Sequence, residues 1–324
     1  MVRCSVISGD IFYRHDLESH DESSERLLEV RAGVPDDIPV FDPVAATGED
    51  LLRVHTPHYI EMIREFSRHG GHHFIDQDTY ISPGTFEVAS VAAGATKEAL
   101  RRSIGGEHSF ALVRPPGHHA ERDRAMGYCI FNNAAVAVSS ALDRVERVAI
   151  IDWDLHHGNG TQKIFYDTDR VLFCSIHQGN IFPYSGWVDE IGTGPGRGFT
   201  INAPIQAGST IADYRLVFEE IFLPAIRRFR PDAILISAGQ DALLDDPKSS
   251  MRLVPEDFGT LTGLVRDATE KSLALVLEGG YGPSHGTAIS AIFASLAGKP
   301  VPDDNRKPGM ATSELVAMLR KMTV

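Results

Sequence analysis

Five short apolar runs in this chain each end abruptly in a cluster of acidic, histidine, glycine or aromatic residues, and no other feature constrains the fold as much. Residues 110–113 lead to Arg114-Pro-Pro-Gly-His-His119, and 148–151 lead to Asp152-Trp-Asp-Leu-His-His-Gly-Asn-Gly160. Residues 171–176 lead to His177 and an aromatic loop, 233–237 to Ala238-Gly-Gln-Asp-Ala242, and 273–277 to Glu278-Gly-Gly-Tyr281. These runs, with another at 4–8, are rich in Val, Ile and Leu without strict alternation, as expected of strands covered on both faces. Helical stretches lie between them at 25–31, 57–68, 132–144, 210–229, 255–270, 284–296 and 312–322. A further helix is predicted to open at Ser82-Pro83, with serine as N-cap and proline at the first helical position, and to run to 102.

This alternation predicts a single α/β domain over 1–324, with a mainly parallel central sheet flanked by helices. In open α/β sheets ligands bind beyond the carboxyl ends of strands, so five clusters at such ends predict one shared pocket. The stretch 178–200, rich in glycine and proline around Phe182, Tyr184 and Trp187, is predicted to be a long functional loop.

Composition narrows the function. The net charge of -13 opposes a broad phosphate-binding surface, so no nucleic-acid partner is expected, and it agrees weakly with cationic substrates. No apolar run approaches the ~20 residues of a membrane-spanning helix, and the N-terminal apolar stretch is too short for a secretory signal. Cys4, Cys129 and Cys174 are too few and scattered for a disulfide framework or a zinc finger. They are expected to be small core residues of a cytoplasmic protein.

Asp152, Asp154 and His156 are spaced by two, so on an extended segment two or three of them face one ion. Asp241, at the end of another run, offers a further carboxylate. Two carboxylates and one imidazole form a three-ligand site with an open position, which suits zinc and also admits iron, cobalt or manganese. The bland alternative is that Asp154 and His156 cap a helix starting near Asn159; the length of the motif and the second acidic cluster favour the metal. Asp245 and Asp246 read as loop or capping acids. Pro115-Pro116-Gly117 forces a turn that presents His118 and His119 together, placing imidazoles where a proton must be moved. Taken alone the pair is equally compatible with metal ligation or a packed turn. Gly279-Gly280 allows close backbone approach, with Tyr281 projecting inward as a donor to an oxyanion.

With these motifs in view, the chain resembles the histone deacetylase superfamily, and more narrowly the bacterial class II-like deacetylases and acetylpolyamine amidohydrolases. The resemblance runs from His20-Asp-Glu-Ser-Ser-Glu-Arg-Leu27 through Ser82-Pro-Gly-Thr-Phe86, 114–119, Gly127-Tyr-Cys-Ile-Phe-Asn-Asn133 and 152–162 to 278–281. It implies an arginase-like fold and zinc held by Asp154, His156 and Asp241. His119, bonded to Asn159, would be the general base and later acid. His118, paired with Asp152, would act electrostatically, and Tyr281 would polarise the scissile carbonyl. The Gly127 carbonyl would accept the substrate amide, with Tyr128 and Phe182 lining a narrow tunnel. A potassium ion would be held by Asp152, Ser175 and the carbonyls of Asp154 and His156, and Arg26 would lie near an internal acetate channel. Gln240, Asp21 and Ser24 depart from the family pattern without removing a ligand.

The expected activity is therefore zinc-dependent removal of acetyl or short acyl groups from amines such as acetyl-lysine or acetylpolyamines. A small acylated amine or acetyl-lysine is the expected partner, with no membrane, and with a homo-oligomer left open. Two other readings share parts of the pattern: a binuclear manganese ureohydrolase of the arginase kind, and a module that binds acylated amines without cleaving them.

Overall fold

The structure, a computed structural model, describes residues 3–300, 302 and 306–322. Its strands in chain order are β1 (Cys4–Ile7), β2 (Val40–Phe41), β3 (His73–Phe74), β4 (Tyr80–Ile81), β5 (His108–Ala111), β6 (Val148–Asp152), β7 (Val171–Gln178), β8 (Thr200–Ile205), β9 (Ala233–Ala238) and β10 (Leu273–Leu277). Eight of them form one sheet in the order β2-β1-β5-β10-β9-β6-β7-β8, each neighbouring pair parallel. β3 and β4 form a separate antiparallel pair. Every residue of β5, β6, β7, β9 and β10 is buried, which explains why these strands read as continuous apolar runs. Each fully buried Val, Leu or Ile side chain contributes roughly 1.5–3 kcal/mol relative to exposure, before conformational entropy is counted.

Capping sets several helix starts. Thr56 accepts from the Tyr59 amide ahead of Pro57–Arg68, and Asn132 accepts from Ala135 ahead of Asn133–Ala141. The helix predicted over 210–229 is observed as Ile211–Val217 and Leu223–Phe229 joined through a wider π-turn at Phe218–Phe222. Pro224 accounts for that turn, because it lacks an N–H and its ring crowds the Glu220 carbonyl one turn back.

Three expectations need correction. The helix predicted from Ser82 begins at Thr85, because Gly84 takes a left-handed conformation (φ 87) and 82–84 form a turn instead. The strand predicted at 110–113 sits two residues earlier, at His108–Ala111. The edge strands β2 and β8 are not predicted at all. β8 contains Pro204, which argues against a central strand but is tolerated at a sheet edge.

One buried ion cluster ties the N-terminal segment to the sheet. Glu22 is fully buried and bonds Arg114 (2.7 Å) and Arg26 (3.0 Å), with Arg114 equally buried. Burial alone would raise the Glu22 pKa, but the two guanidinium groups outweigh it and hold it below its ordinary value. Its contribution is therefore complete above the unfolded value and is lost as pH falls through the lowered folded one. Removing one member of such a cluster leaves buried charge unpaired, so Glu22→Ala is expected to cost about 3–5 kcal/mol. Denaturant midpoints at pH 7 check this, and a loss below ~1 kcal/mol would contradict it.

Candidate active site

The four central strands β5, β10, β9 and β6 are adjacent in the sheet, and β7 follows β6. Their carboxyl ends, with the loop after β7, surround a cavity of about 360 Å³. His118, His119, Tyr281, Asp241, Asp154, His156 and Phe182 all line it, together with Gly127 and Tyr128. The predicted convergence of five strand ends is thus observed. The part of 178–200 that reaches the cavity is Phe182; His177 lies in β7, buried away from it.

On the cavity floor Asp154, His156 and Asp241 each present a ligand atom, all within 4.8 Å of one another. β6 stops at Asp152, so the expected strand-like alternation does not continue through 154 and 156. The chain turns, and side-chain bonds to backbone amides set the orientations instead. Asp241 Oδ1 accepts the Leu155 amide (2.9 Å), Asp154 Oδ1 the His156 amide (2.9 Å), and Asp154 Oδ2 the Gly279 amide (2.8 Å). Asp152 is not part of the trio and bonds His118 Nδ1 (3.1 Å). Gly279 permits the approach of both carboxylates: a Cβ there would lie 2.5 Å from Asp241 Oδ2 and 2.8 Å from Asp154 Oδ2.

The electrostatics of the trio suit a cation. Burial alone would lower the His156 pKa, but its hydrogen bonds to Asp154 and Asp241 push it up to about 9. Burial and the Asp154 charge push Asp241 up to about 7. Two buried carboxylates this close need a shared positive charge, either a proton on His156 or a divalent ion among the three. The residues fit such an ion by number, donor type and spacing.

The histidine pair stands beside this floor with ring centroids 4.0 Å apart. His119 Nδ1 lies 2.8 Å from Asn159 Oδ1, while the Asn159 amide nitrogen donates to Glu121 and to Met126 Sδ. With that amide orientation, Nδ1 of His119 carries the proton and Nε2 is left as the base. Burial, with His118 and His156 nearby, holds the His119 pKa well below its ordinary value. Burial opposes charge on His118 too, but Asp154, Asp152 and Glu278 outweigh it and raise its pKa well above normal. The surroundings thus push the two imidazoles in opposite directions, His119 toward its neutral form and His118 toward its charged form.

Tyr281 faces the cavity under close control. Its amide donates to Asp246 (2.6 Å), the Arg26 guanidinium lies 4.4 Å from its ring centre, and Tyr128 packs edge-on at 5.7 Å. Burial raises the phenol pKa well above its ordinary value, so it is a donor at neutral pH. Asp246 and Asp245 are loop acids, the first accepting the Tyr281 amide and the second the Ser284 hydroxyl. Phe182 stands edge-on to His119 at 5.1 Å. Gly127, at φ 55, is pressed so near that a Cβ would come within 2.4 Å of His119 Cδ2. Ser175 is on β7 directly opposite Asp152, outside the cavity, with its hydroxyl 2.9 Å from His177 Nδ1.

Some functional contacts are not legible from the motifs. Arg26 donates to the carbonyls of Gly280 and Glu278 (both 2.7 Å), placing it behind Tyr281. Gln240 is fully buried and bonds His285 (2.6 Å), so its departure from the family pattern is absorbed inside the protein. Lys248 reaches the cavity wall and pairs with Asp21.

Proton-transfer groups set against a cation-ready floor give an amidohydrolase type of site on an α/β scaffold. The comparisons with known proteins agree. The family model described as histone deacetylase domain matches residues 18–296. A histone deacetylase-like amidohydrolase of Pseudomonas aeruginosa is 45% identical over 250 residues, covering 74% of this chain and 65% of that relative. A probable deacetylase of Archaeoglobus fulgidus is 37% identical over 314 residues, covering 90% and 87%. The crystal structure of the HDA15 HD domain matches with a TM-score of 0.93 at 30% identity, over 99% of this chain and 96% of that one. This chain belongs to the histone deacetylase family. Among the described residues no helix is long and apolar enough to cross a membrane.

Proposed function

We propose that this protein is a zinc-dependent deacetylase that removes acetyl or short acyl groups from primary amines such as acetyl-lysine or acetylpolyamines. The observation that carries this reading is the convergence of Asp154, His156 and Asp241 on the floor of the cavity whose walls bear His119 and Tyr281. A zinc ion held by those three residues would polarise the acyl carbonyl and make water more acidic.

The remaining chemistry belongs to the side chains. Neutral His119, its Nδ1–H held by Asn159, takes the proton from the attacking water at Nε2 and later returns it to the departing amine. His118, charged between Asp152 and Asp154, supplies fixed positive potential without moving its proton. The Tyr281 phenol donates to the oxygen on which negative charge grows as the carbonyl carbon becomes tetrahedral. Tyr128 and Phe182, on the cavity wall, would flank an alkyl chain, and the Gly127 carbonyl would accept the substrate amide N–H. The family-implied potassium ion would be held by Asp152, Ser175 and the backbone carbonyls of Asp154 and His156.

A fluorogenic acetyl-lysine substrate tests the reading. Turnover is expected, with loss of at least ~90% after dialysis against a strong chelator and recovery on adding one equivalent of zinc, since the electrophile is lost with the ion. Chelator-insensitive turnover would overturn the metal dependence, and binding without turnover would make the protein a recognition module.

A further inference from the structure

The turn that carries His118 and His119 is anchored from across the sheet. The amides of Gly117 and His118 both donate to one oxygen of Glu278, at 2.7 and 3.1 Å, and the Ser237 hydroxyl bonds the other oxygen at 3.3 Å. Glu278 is fully buried. The charged groups that act most on its carboxylate are His118, Asp152 and Asp154. Burying a carboxylate is costly, and here the cost is offset by these three hydrogen bonds and by the nearby His118 imidazole.

The same short segment is tied in other directions. The Glu278 carbonyl accepts from Arg26 (2.7 Å), the Gly279 amide donates to Asp154 (2.8 Å), and the Gly280 carbonyl accepts from Arg26 (2.7 Å). Tyr281 follows at once, its amide on Asp246. One carboxylate thus connects the turn presenting the proton-transfer group to the segment presenting the carbonyl-polarising group.

We infer that Glu278 is a positioning residue: its carboxylate oxygen, by accepting both turn amides, holds His119 and Tyr281 in a fixed mutual register across the cavity. The inference rests on the roles given to those two residues under the proposed function. Glu278 itself lies outside the cavity lining and touches neither substrate nor reacting atoms.

The chemistry of the acceptor separates two substitutions. A glutamine at 278 keeps a carbonyl oxygen with two lone pairs for the two amides, and its NH₂ can donate to Ser237. An alanine leaves both buried N–H groups without that acceptor. In zinc-loaded full-length protein assayed on an acetyl-lysine peptide, Glu278→Ala is expected to lower kcat about 100-fold with KM within about threefold. That is the scale for a misplacement near 1 Å. Glu278→Gln is expected to restore kcat to within about fivefold of the unaltered protein.

A second readout does not depend on turnover. Amide hydrogen exchange at Gly117 and His118, resolved by NMR, should accelerate at least about tenfold in Glu278→Ala and stay near the original rate in Glu278→Gln, because exchange reports loss of local hydrogen bonding. A folded Glu278→Ala protein with kcat within threefold, unchanged exchange at 117–118, or a Gln variant as impaired as the Ala variant would each overturn the inference. If the unaltered protein itself fails to hydrolyse the peptide, the deacetylase reading falls, and the exchange rates still decide whether the tie exists.

Discussion

Changing Asp241 to asparagine is expected to cut acetyl-lysine turnover on the order of 10³-fold while making the chelated protein more stable at pH 8. Loss of a residue that merely supports a metal ligand costs roughly 10–100-fold, and a direct ligand costs more. The stability gain follows from the sign of the Asp241 shift. Its carboxyl is pushed up to about 7 by burial and by Asp154, so the folded chain binds its proton more tightly than the unfolded chain does. Stability is therefore lost as pH rises from the ordinary carboxylate value through about 7, and above that the ionised group opposes folding. Asparagine removes that charge and keeps an oxygen for the Leu155 amide, which Asp241 now holds at 2.9 Å. Thermal unfolding of both proteins in chelator, then with zinc, checks the claim: the original gains stability from zinc and the variant gains little. A variant that is less stable without metal, or that keeps its turnover, would contradict the assignment.

Tyr281→Phe is expected to lower kcat about 10²–10³-fold, the usual cost of losing one oxyanion donor, with KM changed by less than about threefold. The ring packing supports reading this as a change in chemistry alone. Tyr128 and the Arg26 guanidinium contact the Tyr281 ring, and Asp246 holds the backbone, so phenylalanine keeps its place and loses the hydroxyl. Since a hydrogen bond that strengthens in the transition state affects kcat more than ground-state binding, a KM rise with kcat intact would assign Tyr281 to substrate binding instead. Zinc content, measured alongside, should be unchanged.

Local pattern carried much of this protein. Apolar runs without alternation marked the buried parallel strands, because a strand covered on both faces has no polar side to show. β2 and β8 escaped because short or proline-bearing edge strands lack that signature. The gathering of Asp154, His156, Asp241, His118, His119 and Tyr281 at one cavity was legible from residue type and from their place after apolar runs, helped by the family resemblance. The supports behind them were not. The Glu22–Arg114 pair, the Glu278 carboxylate and the Arg26 contacts join groups far apart in the chain, and a buried acid that accepts from a distant amide has no sequence spacing to betray it.

Residue order was enough to establish that polar clusters sit at the carboxyl ends of buried strands, since that follows from periodicity within each segment. It could not say that β5, β10, β9, β6 and β7 lie side by side, which is what turns separate clusters into one cavity. Nor could it separate Asp152 from the cation trio: the choice between a floor ligand and a partner for His118 depends on where the chain leaves the strand, and that is set by amide bonds to Asp241 and Asp154 formed only when distant segments pack.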